Sequence, residues 1–125
     1  MHGATWLSQP EDHDFPAAAD YLDLLADAPT VASLTALLRS GTVVHEKAKD
    51  LLRAARLPLL PIDNPHVGSD LAKVRKGQPL SPILTVRGDL ERGFALQIAD
   101  GYHRVCASYY TDENTDIPVV LAARS

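Results

Sequence analysis

Residues 94–104, FALQIADGYHR, contain the clearest strand of the chain and its most chemically informative motif. Every second residue from Phe94 to Ile98 is apolar, the pattern of a half-buried strand. Asp100-Gly101 follows at once, and two structures are then open. Asp-Gly is a strong hairpin-turn signal, which would lead into a second strand. Alternatively, the strand ends at Asp100 and a helix begins near Tyr102; periodicity alone does not separate these two interpretations.

The helical interpretation has chemical consequences. A helix that begins after glycine exposes free backbone N–H groups and the positive end of its dipole, and Gly101 lets an anion approach the backbone. His103 and Arg104 would add donors in the first turn, and a guanidinium can hold a phosphate through two N–H bonds. In the simpler interpretation Asp100 caps the helix, Gly101 turns the chain, and both cations face water. Local sequence leaves both open.

Other strands are predicted on either side of this motif. The apolar run Ile83–Val86 is rich in strand formers. A polar turn at 88–93 separates it from the strand that begins at Phe94, so the two strands are predicted to pair as a hairpin. Ile117–Leu121 is predicted as a last strand. Pro118 places that strand near a sheet edge or puts the proline at the strand start.

Helices are predicted mainly in the first half of the chain. Apolar residues at helical spacing occur over 18–28, 31–38 and 44–55, and these helices need a partner surface to bury their apolar faces. A shorter helix is predicted over Ser69–Lys76, capped by its first residue and stopped by glycine. The acidic residues 1–15 are predicted to be a poorly ordered lead-in.

Composition excludes several classes of protein. The chain has 125 residues, 46% of them hydrophobic, and a net charge of −4, which argues against a disordered chain and against a general nucleic-acid binder. Cys106 is the only cysteine, and the five histidines show no metal-ligand spacing, so we expect neither a disulfide nor a protein-built metal site. We expect no membrane span and no signal peptide, and hence a cytoplasmic protein.

From about residue 59 to 122, the order of the signals is similar to that of a known family. An entry at Asn64-Pro65, a short helix, residues 77–84 (GQPLSPIL), the Asp100–Arg104 motif and the closing Ile117-Pro118 follow one another as in the ParB/sulfiredoxin-like domain family, which this stretch resembles. The resemblance implies an α+β fold, with a small mixed β-sheet and flanking helices. We therefore expect a helical N-terminal segment, 1–57, followed by a ParB/sulfiredoxin-like core, 58–125.

The resemblance also implies a site and makes the helical interpretation of the motif the preferred one. In the family, the Gly-x-x-Arg element lies at a helix start and holds nucleotide phosphates. Carried over, it assigns cofactor binding to Gly101, Tyr102, His103 and Arg104, and more weakly to Lys73. The implied cofactor is a nucleotide, ATP or CTP, with Mg²⁺.

This chain differs from the sequence pattern of each branch of the family: the sulfiredoxins, the ParB partition proteins and the serine kinases. Sulfiredoxin has its nucleophilic cysteine where this chain has Tyr102, and a phenol cannot replace a thiolate, so sulfiredoxin activity is not expected. ParB partition proteins carry a helix-turn-helix domain after this core, and we expect none here because the chain ends at Ser125. The related serine kinases use an acidic base on the preceding helix. Only Asp63 and Asp70 are loose candidates for that base.

Two functions of different class follow as hypotheses. The first is a nucleotide-binding protein, acting as a phosphotransferase or nucleotide hydrolase. In it Asp100 holds Mg²⁺ or accepts a proton, and His103 orients or protonates the substrate. The second is a non-catalytic interaction or regulatory module whose N-terminal helices pack on the sheet or contact a protein partner or a second copy in a homodimer. DNA binding follows only from the ParB resemblance and is less favoured, since the chain is acidic.

Overall fold

The computed structural model describes residues 3–123. Over that range the chain has an α+β fold of five helices and a four-stranded mixed sheet, as predicted. The elements in chain order are α1 (Asp14–Leu22), α2 (Ala28–Ser40), β1 (Val43–Lys47), α3 (Ala48–Ala55), α4 (Pro65–Arg75), β2 (Ile83–Val86), β3 (Gln97–Asp100), α5 (Tyr102–Thr111) and β4 (Asp116–Ala122).

The strand order in the sheet is β1-β4-β2-β3. β2 and β3 form the predicted antiparallel hairpin, while β4 runs parallel to β2 and antiparallel to β1. The predicted strand from Phe94 to Ala99 is shorter at its start, because Leu96 donates its N–H to Ala54 of α3, 3.1 Å away, rather than to β2. β4 lies inside the sheet, and Pro118 is near its start, opposite His45.

The predicted helix over residues 44–55 is wrong in its first part. Residues 43–47 instead form β1, which pairs with β4 from Val43 opposite Val120 to Lys47 opposite Asp116. The helix begins only at Ala48, whose N–H donates to the carbonyl of Thr115. The stretch 1–57 is therefore not wholly helical, and it contributes one strand to the sheet.

The short helix predicted at Ser69 begins one turn earlier. Asn64 is its cap, with Oδ1 accepting from the N–H groups of His66 and Val67 at 3.0 and 3.2 Å, and proline occupies the first helical position. Gly77, with φ of 71°, follows the end of α4, as predicted. The earlier start places His66 on this helix.

The prediction of a poorly ordered lead-in is wrong for residues 3–15; residues 1 and 2 lie outside the described range. Leu80 accepts a hydrogen bond from the N–H of Leu7 and donates one to the carbonyl of Thr5, both at 2.8 Å. α1 then begins at Asp14, which is buried. The N-terminal segment is thus tied to the chain just before β2.

Apolar side chains cover both faces of the sheet. Successive residues of each strand point to opposite faces, so Ile83 and Val119 pack with α3, α4 and α5, whereas Leu84 and Val120 pack with α1 and α2. The N-terminal helices thus pack on the sheet, which is one of the two arrangements expected for them. The predicted domain boundary between residues 57 and 58 stays a prediction.

Candidate functional site

The decisive motif is a strand, a glycine and a helix. β3 ends at Asp100, Gly101 has φ of 110°, and α5 begins at Tyr102, so the helical interpretation is confirmed. A Cβ on Gly101 would lie 2.7 Å from Ile83 Cδ1 and 2.9 Å from Arg104 Nη2. The chain therefore needs glycine here for its backbone conformation and for the close approach of the Arg104 head group.

A cavity of about 350 Å³ opens at this helix start. Its walls come from four parts of the chain: the N-terminal segment with the start of α1, the inner face of α4, residues 79–81, and the turn between β3 and α5. The lining residues are Glu11, His13, Asp14, Ala17, His66, Ser69, Asp70, Lys73, Pro79, Leu80, Ser81, Asp100, Gly101, His103 and Arg104. The structure thus brings five of the six predicted site residues together, including Lys73 from a separate helix.

Tyr102 is the predicted site residue that does not line the cavity. Its hydroxyl donates to the carbonyl of Pro58 at 2.6 Å, so the ring packs toward the segment that precedes α4. The phosphate contact expected of its backbone amide stays a prediction.

Arg104 is held by protein oxygens on several sides. Its Nη2 donates to Asp100 Oδ2 at 2.6 Å and its Nη1 to the Ser81 carbonyl at 2.8 Å, while Asp14 Oδ2 lies 3.7 Å from Nη1. Burial raises the pKa of Asp100, and the neighbouring Asp14 adds to that rise while Arg104 opposes it. Asp14 falls in the stretch predicted to be poorly ordered, so no sequence signal marked it.

The cavity wall also carries two histidines, His66 of α4 and His103 of α5, and an ion pair within α4. The rings of His66 and His103 have centroids 4.7 Å apart, and Lys73 Nζ lies 3.8 Å from Asp70 Oδ1. Burial lowers the pKa of His103, with a further contribution from His66 and an opposing one from Asp70. Burial also raises the pKa of Asp70, against the effect of Lys73.

Of the two loose candidates for an acidic base, Asp70 lines the cavity and Asp63 does not. A signal for this face was present in the sequence. Reading Asn64-Pro65 as a helix start places His66, Asp70 and Lys73 at spacings of four and three, on one helix face.

Within residues 3–123, no group of three or more His, Cys, Asp or Glu side chains is placed to hold a metal ion. Over the same range, no helix combines the length and apolar character that crossing a bilayer requires. Cys106 is buried outside the cavity, and burial raises the pKa of its thiol.

Comparisons with models of protein families, with curated proteins and with solved structures find no match to this chain. The similarity to the ParB/sulfiredoxin-like family therefore stays a prediction, based on the order of motifs along the sequence.

Proposed function

We propose that the cavity binds the phosphate groups of a nucleotide, ATP or CTP, and that the protein is a nucleotide-dependent phosphotransferase or hydrolase. One observation carries this proposal. The cavity gathers Lys73 of α4 with Gly101, His103 and Arg104 at the start of α5, and its volume of about 350 Å³ is at the lower end of small-ligand sites.

The helix start at the cavity supports an anionic ligand. α5 begins at the cavity wall, and its N-cap residue Gly101 makes no capping side-chain hydrogen bond. The first N–H groups of a helix have no partner within the helix and carry the positive end of its dipole. The start of α5, beside Lys73 and Arg104, therefore offers a phosphate backbone donors, whereas at the start of α1 the Asp14 N–H already donates to the carbonyl of Glu11 and Pro16 has no N–H.

The charges around the cavity favour a nucleotide that brings a divalent cation. Carboxylates on Glu11, Asp14, Asp70 and Asp100 outnumber the cations on Lys73 and Arg104. A free polyphosphate would therefore enter a site with excess negative charge. Mg²⁺ is commonly bound by one or two carboxylates together with substrate phosphates, so the metal complex of the nucleotide fits better than the free nucleotide.

In this proposal the residues have separate tasks. Arg104 and the backbone at Gly101 and Tyr102 hold phosphate oxygens, while Asp100 takes the cation or a proton. His103, whose lowered pKa favours the neutral ring near pH 7, accepts or donates a proton during transfer. Lys73 contacts the phosphate from the opposite wall.

A binding titration tests the proposal. The purified chain is titrated with ATP, CTP, ADP and GTP, with and without Mg²⁺. We expect one nucleotide to bind in the presence of Mg²⁺ and its affinity to fall about ten-fold or more in Arg104→Ala and in Lys73→Ala, since each removes a charged donor.

Arg75→Ala is the matched control for Lys73→Ala, because Arg75 lies on the same helix but does not line the cavity. Lys73→Ala still tests the proposal if Arg104→Ala does not fold, because the Lys73 side chain is half exposed whereas that of Arg104 is largely buried. Unchanged affinity in both cavity variants, or no binding by the wild-type chain, would contradict the proposed function.

A second candidate function rests on exposed apolar side chains in the N-terminal stretch. Leu24 and Leu25, between α1 and α2, are 81% and 57% exposed, and Leu37 on α2 is 44% exposed. A contiguous patch of exposed apolar side chains is typical of a protein-contact surface, and Leu24 and Leu25 are adjacent in the chain. A non-catalytic interaction module, in a homodimer or with another protein, would use them. Sedimentation of the wild-type chain and of Leu24→Glu tests for self-association through this surface.

A further inference from the structure

The N-terminal segment places a buried carboxylate next to the arginine of the proposed phosphate site. Asp14, at the start of α1, is 4% exposed although it lies in the wall of the cavity. Its Oδ2 accepts hydrogen bonds from the Ser81 hydroxyl and, at 3.0 Å, from the backbone N–H of Glu11. Both hydrogen bonds fall on Oδ2, the same oxygen that faces Arg104 Nη1, so they fix the position of that oxygen beside the guanidinium.

Asp14 and Asp100 act on the same guanidinium from different elements. Asp100, at the end of β3, lies four residues before Arg104 and contacts Nη2, whereas Asp14 faces Nη1 from α1. The Ser81 carbonyl also accepts from Nη1. A guanidinium has five N–H donors in a fixed planar fork, so contacts on both Nη atoms fix its plane and leave other N–H groups for a ligand.

The orientation of this plane matters because Gly101 packs against it. A Cβ on Gly101 would lie 3.2 Å from Arg104 Cζ, so the guanidinium lies directly over the start of α5. The head group therefore lies beside the residue that precedes the first backbone N–H groups of the helix. A rotated guanidinium would leave that position.

We propose that Asp14 is a positioning residue of the phosphate site and holds the Arg104 guanidinium beside the start of α5. The N-terminal segment therefore contributes to ligand binding by supplying this residue. The inference rests on the proposed function. It predicts that the effect of the Asp14 carboxylate on anion affinity has the opposite sign to that expected from its charge. A carboxylate near an anion site should weaken anion binding through its charge alone, whereas a positioning carboxylate strengthens it.

Asp14→Asn tests this prediction. The variant keeps the size of the side chain and removes the charge that faces Nη1. We expect the affinity for the Mg²⁺ complex of the bound nucleotide to fall about ten-fold, with partial recovery in Asp14→Glu. The side-chain NMR signal of Arg104 Nη1, assigned with Arg104→Lys, should shift in Asp14→Asn, whereas that of Nη2, which Asp100 holds in both chains, should stay unchanged.

Two further variants separate positioning from other effects. Asp12→Asn removes a charge from the same segment at an exposed residue that does not line the cavity, and should leave affinity within about two-fold of wild type. Ser81→Ala removes the hydroxyl that holds Asp14 and keeps every charge, so it should weaken binding in the same direction as Asp14→Asn.

The outcomes distinguish the two proposals. Suppose that the wild-type chain binds a nucleotide, and that Asp14→Asn and Ser81→Ala are folded by their amide NMR spectra and bind it equally well or more tightly. That result would overturn the role of Asp14 and leave the proposed function standing. No binding by the wild-type chain would overturn both. Weaker binding by both variants, with a shifted Nη1 signal and an unchanged Nη2 signal in Asp14→Asn, supports both.

Discussion

Gly101 shows at the scale of one residue how the fold constrains the site. Its φ of 110° is a conformation that a side chain disfavours, and the space where a Cβ would lie is taken by Ile83 and Arg104. The same residue therefore permits the strand-to-helix turn and lets the guanidinium lie over the helix start. Local sequence predicted the turn, but not the contact with Arg104.

Replacing this glycine should cost stability and displace Arg104. We expect Gly101→Ala to lower the free energy of unfolding by about 1–3 kcal/mol, because the variant combines backbone strain with a steric clash. The measurement is urea unfolding. Gly68→Ala is the control: it lies inside α4 with only ordinary contacts around the added methyl, and should stabilise by about 0.5–1 kcal/mol. Equal effects of both variants would contradict the explanation.

His103 predicts a dependence of stability on pH. Burial lowers its pKa in the folded chain below its ordinary value of 6.5, so the unfolded chain binds more protons between the folded pKa and 6.5. Stability should therefore fall as pH falls through about 6.5. Between pH 7.5 and 5.5, the urea midpoint should drop less in His103→Gln than in the wild-type chain. The same drop in both would show that His103 is not responsible.

At the scale of the element, α4 decides which side chains reach the cavity. Its start at Pro65 rather than at Ser69 adds the turn that carries His66, and the Asn64 side chain fixes that start. The motif Asn-Pro at a helix start was readable from the sequence. The prediction gave the cap to Ser69 instead, a residue type with a similar capping preference.

Loss of this cap should loosen α4. We expect Asn64→Ala to lower the free energy of unfolding by about 1 kcal/mol, measured by urea unfolding followed by circular dichroism. Asp63→Ala is the control, since its exposed side chain does not cap the helix. If the two variants have the same stability, the cap does not fix the start of α4.

At the scale of the whole molecule, the sheet joins the two halves of the chain. β1 comes from the first half and pairs with β4 at the end of the second, and α1 and α2 cover the sheet face opposite α3, α4 and α5. The helices on both faces pack on the same strands β2, β3 and β4. A loss of packing on one face should therefore destabilise the other face as well.

This arrangement predicts one cooperative unfolding transition. Leu38→Ala on α2 should lower the free energy of unfolding by about 2–4 kcal/mol, since the side chain is fully buried. The transition seen by the fluorescence of Trp6, which packs on the α3–α5 side, should shift together with the transition seen by circular dichroism. Two separate transitions would instead support independent units divided near residue 57.

The sequence by itself determined the β2–β3 hairpin and the last strand, because each depends on local periodicity and turn chemistry. The α+β class and the helix after Gly101 were expected from the family resemblance, since local periodicity left the structure after Asp100 open. Only the tertiary structure decided that residues 43–47 form a strand, since β1 exists through pairing with residues 69 to 77 positions later in the chain. The same holds for Asp14, whose position depends on Ser81 and Arg104. Contacts between distant residues leave no local period in the sequence, and the cavity is built from such contacts.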